Sequence, residues 1–159
     1  MNGQAALKHG VSVFFDPTPD SVTRIFAGLV SDGCRGLYLT ARLPVDVLPR
    51  PDKGSAEYIW MARSGAESGT GSDSIVCDKI ERFLDKYEGG VVAVDCVGCA
   101  GLAGSGKTLP GLLGAVSRKA KNKRAYVLVQ IPAGTLDEDG RKALVNAMKR
   151  EHLDVHDRQ

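Results

Sequence analysis

The chain reads as an α/β protein: a mostly parallel sheet of about five strands, with helices on both faces. Three observations predict this. Apolar strand-like runs alternate with amphipathic helix-like stretches from Val11 to Glu151, the pattern of repeated βα units. One run, Val91-Val92-Ala93-Val94, is apolar at every position, as a strand covered on both faces must be. The length of 159 residues, with 43% hydrophobic and 25% charged residues, suits one globular domain whose core needs no metal or disulfide staple.

The elements follow in order. Val11 to Phe15 is β-branched and aromatic and stops at Asp16-Pro17, so it reads as a strand. Thr18 suits a helix N-cap, with Pro19 at the first helical position and Asp20 in the first turn. That helix runs to about Ser31, with Val22, Ile25, Phe26, Leu29 and Val30 on one face, and Gly33 stands where a C-cap glycine belongs. Gly36 to Thr40 reads as the second strand and Glu57 to Met61 as a short third one. The Pro- and Gly-rich stretch Pro49 to Gly54 and the polar stretch Arg63 to Ser72 read as loops. A helix over about Asp73 to Tyr87 carries the stripe Ile75, Val76, Ile80, Phe83 and Leu84 and ends at Gly89-Gly90. After the strand 91–94 come Asp95-Cys96, a Gly-rich stretch from Gly98 to Gly106 and a helix over about Leu109 to Lys121. Ala125 to Ile131 is a further apolar strand, stopped by Pro132. The last helix spans about Leu136 to Glu151, with Leu144, Val145 and Met148 facing the core. The expected organisation is a flexible N-terminus over residues 1–10, one domain over 11–152 and a flexible tail over 153–159.

Several function classes drop out early. No apolar run approaches the ~20 residues of a membrane span, so membrane insertion is not expected. Met1 to His9 lacks the apolar core of a secretory signal. Four cysteines, Cys34, Cys77, Cys96 and Cys99, then read as reduced thiols in a cytoplasm. A net charge of +2 does not by itself argue for nucleic acid.

The segments Gly36-Leu37-Tyr38-Leu39-Thr40-Ala41-Arg42-Leu43-Pro44, Ile59-Trp60-Met61, Phe83-Leu84 and Gly90-Val91-Val92-Ala93-Val94-Asp95 occur in an order that resembles the archaeal domain-of-unknown-function family eight-three-five. Ile131-Pro132-Ala133-Gly134-Thr135-Leu136-Asp137-Glu138 is similar to that family's closing strand-to-helix junction. The resemblance spans about Ser12 to Glu151. It implies a three-layer RecA-like, KaiC-like fold without a working nucleotide site, hence a non-catalytic protein-interaction or signalling module. The implied partner is another protein, with no cofactor; whether the chain also forms a homodimer stays open at this point.

One string competes with that reading. Gly101-Leu102-Ala103-Gly104-Ser105-Gly106-Lys107-Thr108 fits the phosphate-loop pattern G-x-x-x-x-G-K-[ST]. Gly101, Gly104 and Gly106 would let backbone N–H groups wrap a phosphate. Lys107 would meet the outer phosphates of ATP or GTP, and Thr108 would hold Mg²⁺. Against it, Val97 to Ala100 sets the loop apart from its strand, and Gly111 weakens the first turn of the following helix. Val127 to Pro132 supplies no acidic residue at a strand end. In the RecA-like pattern the phosphate loop follows the first strand, and a metal-linked Asp ends a later one. The first position here holds Asp16-Pro17-Thr18-Pro19-Asp20, with no glycine, no lysine and two carboxylates that repel a triphosphate. The second holds Asp95. Asp95 reads either as metal or base chemistry at a strand end, near the metal if the Gly-Lys-Thr string binds nucleotide, or, as the favoured expectation, as a retained relic that caps or hydrogen-bonds the adjacent loop. The Gly-Lys-Thr string falls outside the usual position.

The other candidates are less specific. Cys96-Val97-Gly98-Cys99 is a C-x-x-C at a strand end, half of a zinc site or a redox pair, but no second pair accompanies it and the three histidines lie near the termini. Arg118-Lys119-Ala120-Lys121-Asn122-Lys123-Arg124 holds five cations in seven residues. It is an alternative nucleic-acid surface, but it has no aromatic residue to stack on bases, and cations at a helix C-terminus complement the helix dipole. Nucleic acid is therefore not the expected partner. Trp60 is expected in the core or under the polar loop, and only secondarily in an interaction surface, and Asp137, Glu138 and Asp139 are expected to charge the start of the last helix. No catalytic residue and no metal ligand are assigned.

Overall fold

The computed structural model describes residues 7–15, 20–40, 56–60, 72–95, 108–131 and 137–157. Ten elements follow one another: β1 (Gly10–Phe15), α1 (Asp20–Ser31), β2 (Gly36–Thr40), β3 (Ala56–Trp60), α2 (Ser72–Lys86), β4 (Val91–Val94), α3 (Thr108–Asn122), β5 (Tyr126–Gln130), α4 (Glu138–Arg150) and β6 (Asp154–Asp157). The strands form one six-stranded sheet in the order β3-β2-β4-β5-β1-β6, and every pairing is parallel. This is an α/β fold consistent with the three-layer RecA-like class.

Alternation along the strands sorts the core into two layers. Val11, Val13, Phe15, Leu37, Leu39, Val92, Val94, Val127 and Val129 face α2, α3 and α4. Phe14, Tyr38, Val91, Ala93 and Leu128 face α1 through Val22, Phe26 and Val30. Among the described side chains the expected helix stripes face these layers, with Ile25 and Leu29 of α1 half-buried, and β4 is covered on both sides as its sequence requires. The step from β1 to β2 skips two strands, and α1 crosses β5 and β4 to make it. Gly36 allows the close approach at its end, because a Cβ there would lie 2.7 Å from both Phe26 and Val30.

Three helices end in the same motif. At α1 the Gly33 N–H donates to the Val30 carbonyl and the Cys34 N–H to the Leu29 carbonyl, with Gly33 at φ +113°. This is the Schellman cap that Gly33 predicts. α3 and α4 close the same way, through Arg124 at φ 56° and His152 at φ 65°. At the other end of α4, Asp137 is the N-cap just before the helix and its carboxylate accepts from the Gly140 N–H at 2.7 Å.

Two expectations are corrected. The sheet has six strands and not about five, because residues 154–157, expected in a flexible tail, form β6 beside β1. His156 stacks on Phe14 there, with ring centroids 4.4 Å apart. At the other end, β1 starts at Gly10 and Leu7 packs against the α1 layer, so ordered chain begins before residue 11. Among the described residues no helix is long and apolar enough to cross a membrane.

Candidate functional site

An all-parallel sheet gathers the carboxyl ends of its strands along one edge, the edge where open α/β sheets place ligands. Here Thr40 ends β2, Asp95 follows β4 and Gln130 ends β5, and all three are buried. The Asp95 N–H donates to the Leu39 carbonyl at 3.1 Å, so the β2–β4 ladder runs one residue past the strand and fixes the carboxylate.

Asp95 lies on the α1 side of the sheet, in line with Val91 and Ala93. Tyr38 and Thr40 alternate along β2 and so share that face. The Thr40 hydroxyl donates to Asp95 Oδ2 at 3.0 Å, and the Tyr38 hydroxyl donates to the same oxygen at 3.4 Å. A tyrosine hydroxyl has one proton. With that proton on Asp95, Thr23 Oγ1 of α1, 2.8 Å from the Tyr38 oxygen, is the donor to it. The result is a directed chain, Thr23 to Tyr38 to Asp95, joined by Thr40, within a buried layer. The Tyr38 ring packs in a three-ring cluster, edge-on to Phe26 at 5.1 Å and stacked with Tyr58 at 5.8 Å. The loop that Asp95 was expected to cap or hydrogen-bond lies outside the described residues; its carboxylate accepts from Thr40 and Tyr38 of β2. Sequence reasoning missed Thr23, Tyr38 and Thr40 as its company. The one available signal was the i, i+2 spacing of two hydroxyl residues in the strand 36–40.

Gly101, Gly104, Gly106 and Lys107 lie outside the described residues, as do Asp16 to Pro19 and the C-x-x-C pair Cys96 and Cys99. Thr108 is the first residue of α3, and the first turn of α3 has no acidic residue. Pro110 fits that turn because the N–H it lacks would have had no helical acceptor. Asp20 is the exposed first residue of α1.

The remaining candidates are placed elsewhere. In the basic segment, Lys119 Nζ lies 2.8 Å from Asp85 Oδ1 of α2. Each partner holds the other charged: the hydrogen bond from Lys119 lowers the Asp85 pKa, and the same bond raises that of Lys119. Part of the cationic run therefore ties α3 to α2. Cys77 is buried in the core and Cys34 is half-buried, its thiol pKa pushed up by burial and then by the Asp32 charge. His9 and His152 line a cavity of about 260 Å³ at the opposite, amino edge of the sheet, with Lys8 and Lys121. Among the described residues no three His, Cys, Asp or Glu side chains group as metal ligands. No protein-family model and no curated protein matches this chain.

Proposed function

We propose that this chain is a non-catalytic RecA-like, KaiC-like domain that acts through contacts with a protein partner, as an interaction or signalling module of an archaeal cytoplasm. One observation carries the reading. Asp95, the acid at the position the resemblance links to metal, is 8% exposed and serves as a shared acceptor for Thr40 and Tyr38. A carboxylate used this way holds β4 to β2 and, through Thr23, to α1. The sequence after β1 supports the same view, since the stretch where the RecA-like pattern has its phosphate loop contains Asp16 and Asp20 and no glycine or lysine. Four cysteines suit a reducing compartment.

A second reading is favoured by a separate observation. α3 begins at the threonine that closes the Gly101–Thr108 string, and its first turn has no side-chain anion. A helix N-terminus of that kind attracts phosphate. On this reading Gly101, Gly104, Gly106, Lys107 and Thr108 hold ATP or GTP with Mg²⁺, near Asp95.

Isothermal titration separates the two. With ATP, ADP or GTP and Mg²⁺, the interaction-module reading expects no saturable heat. Micromolar binding that disappears in Lys107→Ala replaces it with the nucleotide switch.

A further inference from the structure

The cavity of about 260 Å³ at the amino edge of the sheet gathers basic groups from three separate places in the chain. Lys8 and His9 lead into β1, Lys121 lies in the last turn of α3, and His152 stands between α4 and β6. All four are exposed. Asp154 is the single carboxylate of the described lining, and it shares a hydrogen bond of 3.2 Å with the His156 ring. Elsewhere the cations meet acids: Lys119 meets Asp85, Arg82 meets Asp78 and Lys142 meets Glu138. Among the described residues Lys8, His9, Lys121 and His152 form no ion pair.

Three of the four are held by their surroundings. The Lys121 stem lies across Gly10, where a Cβ would stand 3.0 Å from its Cε and 3.1 Å from its Cγ. Gly10 has no Cβ and sits at φ +102°, so the stem can rest on the backbone. Ser117, one turn before Lys121, accepts from the Val11 N–H at 3.1 Å and fixes α3 on β1. The His9 ring packs on Tyr126 with centroids 4.8 Å apart. His152 occupies the left-handed position of the α4 cap, and its N–H donates to the Lys149 carbonyl. Basic groups at helix C-termini complement the helix dipole, which accounts for Lys121 and His152. It does not account for Lys8 and His9, which precede a strand. Two ammonium groups around one cavity repel each other, and a bound anion offsets that repulsion.

The geometry points to a binding site for the phosphate groups of a small ligand, a free diphosphate or a phosphate ester, between the starts of β1 and β6 and the end of α3. Lysine meets phosphate as a point charge, and an imidazole offers an N–H donor, so the oxygens of a tetrahedral anion find partners on three sides. The described lining has no arginine, whose planar fork suits a carboxylate. The volume is below the ~300–1,000 Å³ of a site for a drug-sized molecule, so the phosphates are the part of the ligand that enters. The site is separate from both readings above: Thr108, which closes the Gly101–Thr108 string, opens the opposite end of α3.

The test is calorimetric titration of the full chain with magnesium-free pyrophosphate, glucose 6-phosphate and citrate, repeated on the isotope-labelled chain with amide signals followed. The expected result is saturable binding of pyrophosphate or glucose 6-phosphate, about tenfold or more tighter than that of citrate. Amide shifts fall on residues 8–10, 121–122 and 152–154. Lys8→Gln and Lys121→Gln each weaken binding about fivefold or more. Lys142→Gln, which removes a cation paired on α4, and Lys107→Ala leave it unchanged. Melting curves check that each variant folds. Binding of one phosphate and not the other supports the site and separates the free diphosphate from the ester. Absence of saturable binding for both, citrate bound as tightly, an equal loss in Lys142→Gln, or shifts placed elsewhere overturns the site. A loss in Lys107→Ala also overturns it, since the phosphate then belongs to the Gly101–Thr108 string.

Discussion

Asp95 concentrates the residue-scale argument. Removing its carboxylate withdraws the acceptor that Thr40 and Tyr38 share in a buried layer. Asp95→Ala is expected to destabilise the fold by about 1–3 kcal/mol, and Tyr38→Phe by about 0.5–1.5 kcal/mol. Denaturant midpoints at neutral pH check both. The two losses should not add in the double variant, because the residues share one network. A different residue-scale cost sits at Arg124, which holds the left-handed cap position of α3 at φ 56°. Glycine carries no Cβ penalty there, so Arg124→Gly is expected to stabilise by about 0.5–1 kcal/mol in equilibrium unfolding. The sequence announces only one of the three caps. Gly33 is legible because glycine is the usual occupant. Arg124 and His152 are not, because nothing about a basic residue signals a positive φ. Asp95 was legible as a strand-end acid. Its hydroxyl company was not, since Tyr38 and Thr40 reach it only once β2 and β4 are neighbours.

The elements themselves were largely readable, and the exceptions have physical causes. Val91 to Val94 and Val127 to Val129 announce buried parallel strands by their apolar runs, and the α1, α2 and α4 stripes announce their packing faces. β6 did not announce itself. Asp154-Val155-His156-Asp157 is short and polar, and among the described residues it pairs with β1 alone, so an edge position frees it from apolar patterning. Its role is to cover the edge of β1. Ending the chain after Leu153 is expected to lower the melting temperature by about 5 °C or more and to promote self-association through the bared strand. Calorimetry and size-exclusion chromatography read the two effects. The α2–α3 tie predicts a pH signature. Asp85 has a lowered pKa in the fold, so its contribution is present above the usual carboxylate range and is lost as pH falls through the lowered value. Asp85→Asn should therefore melt below the parent at pH 7, and the difference should close in strong acid.

At the scale of the whole molecule, the sheet order decides which strand ends become neighbours. The alternation of helices and strands predicted a parallel sheet, yet alternation contains no information on order. The sequence could not say that β4 lies between β2 and β5, and that placement alone brings Asp95 to Thr40. The same order makes β3 and β6 the two outer strands among the described residues. The central claim is that the acid of the carboxyl edge serves the fold and not a metal. Paramagnetic relaxation tests it most directly: the isotope-labelled chain is titrated with Mn²⁺ in the presence of ATP, and amide signals are followed for residues 39–40 and 94–95. The account predicts that these signals broaden no more than those of other residues. Selective broadening at Thr40 and Asp95 at substoichiometric Mn²⁺ would contradict it.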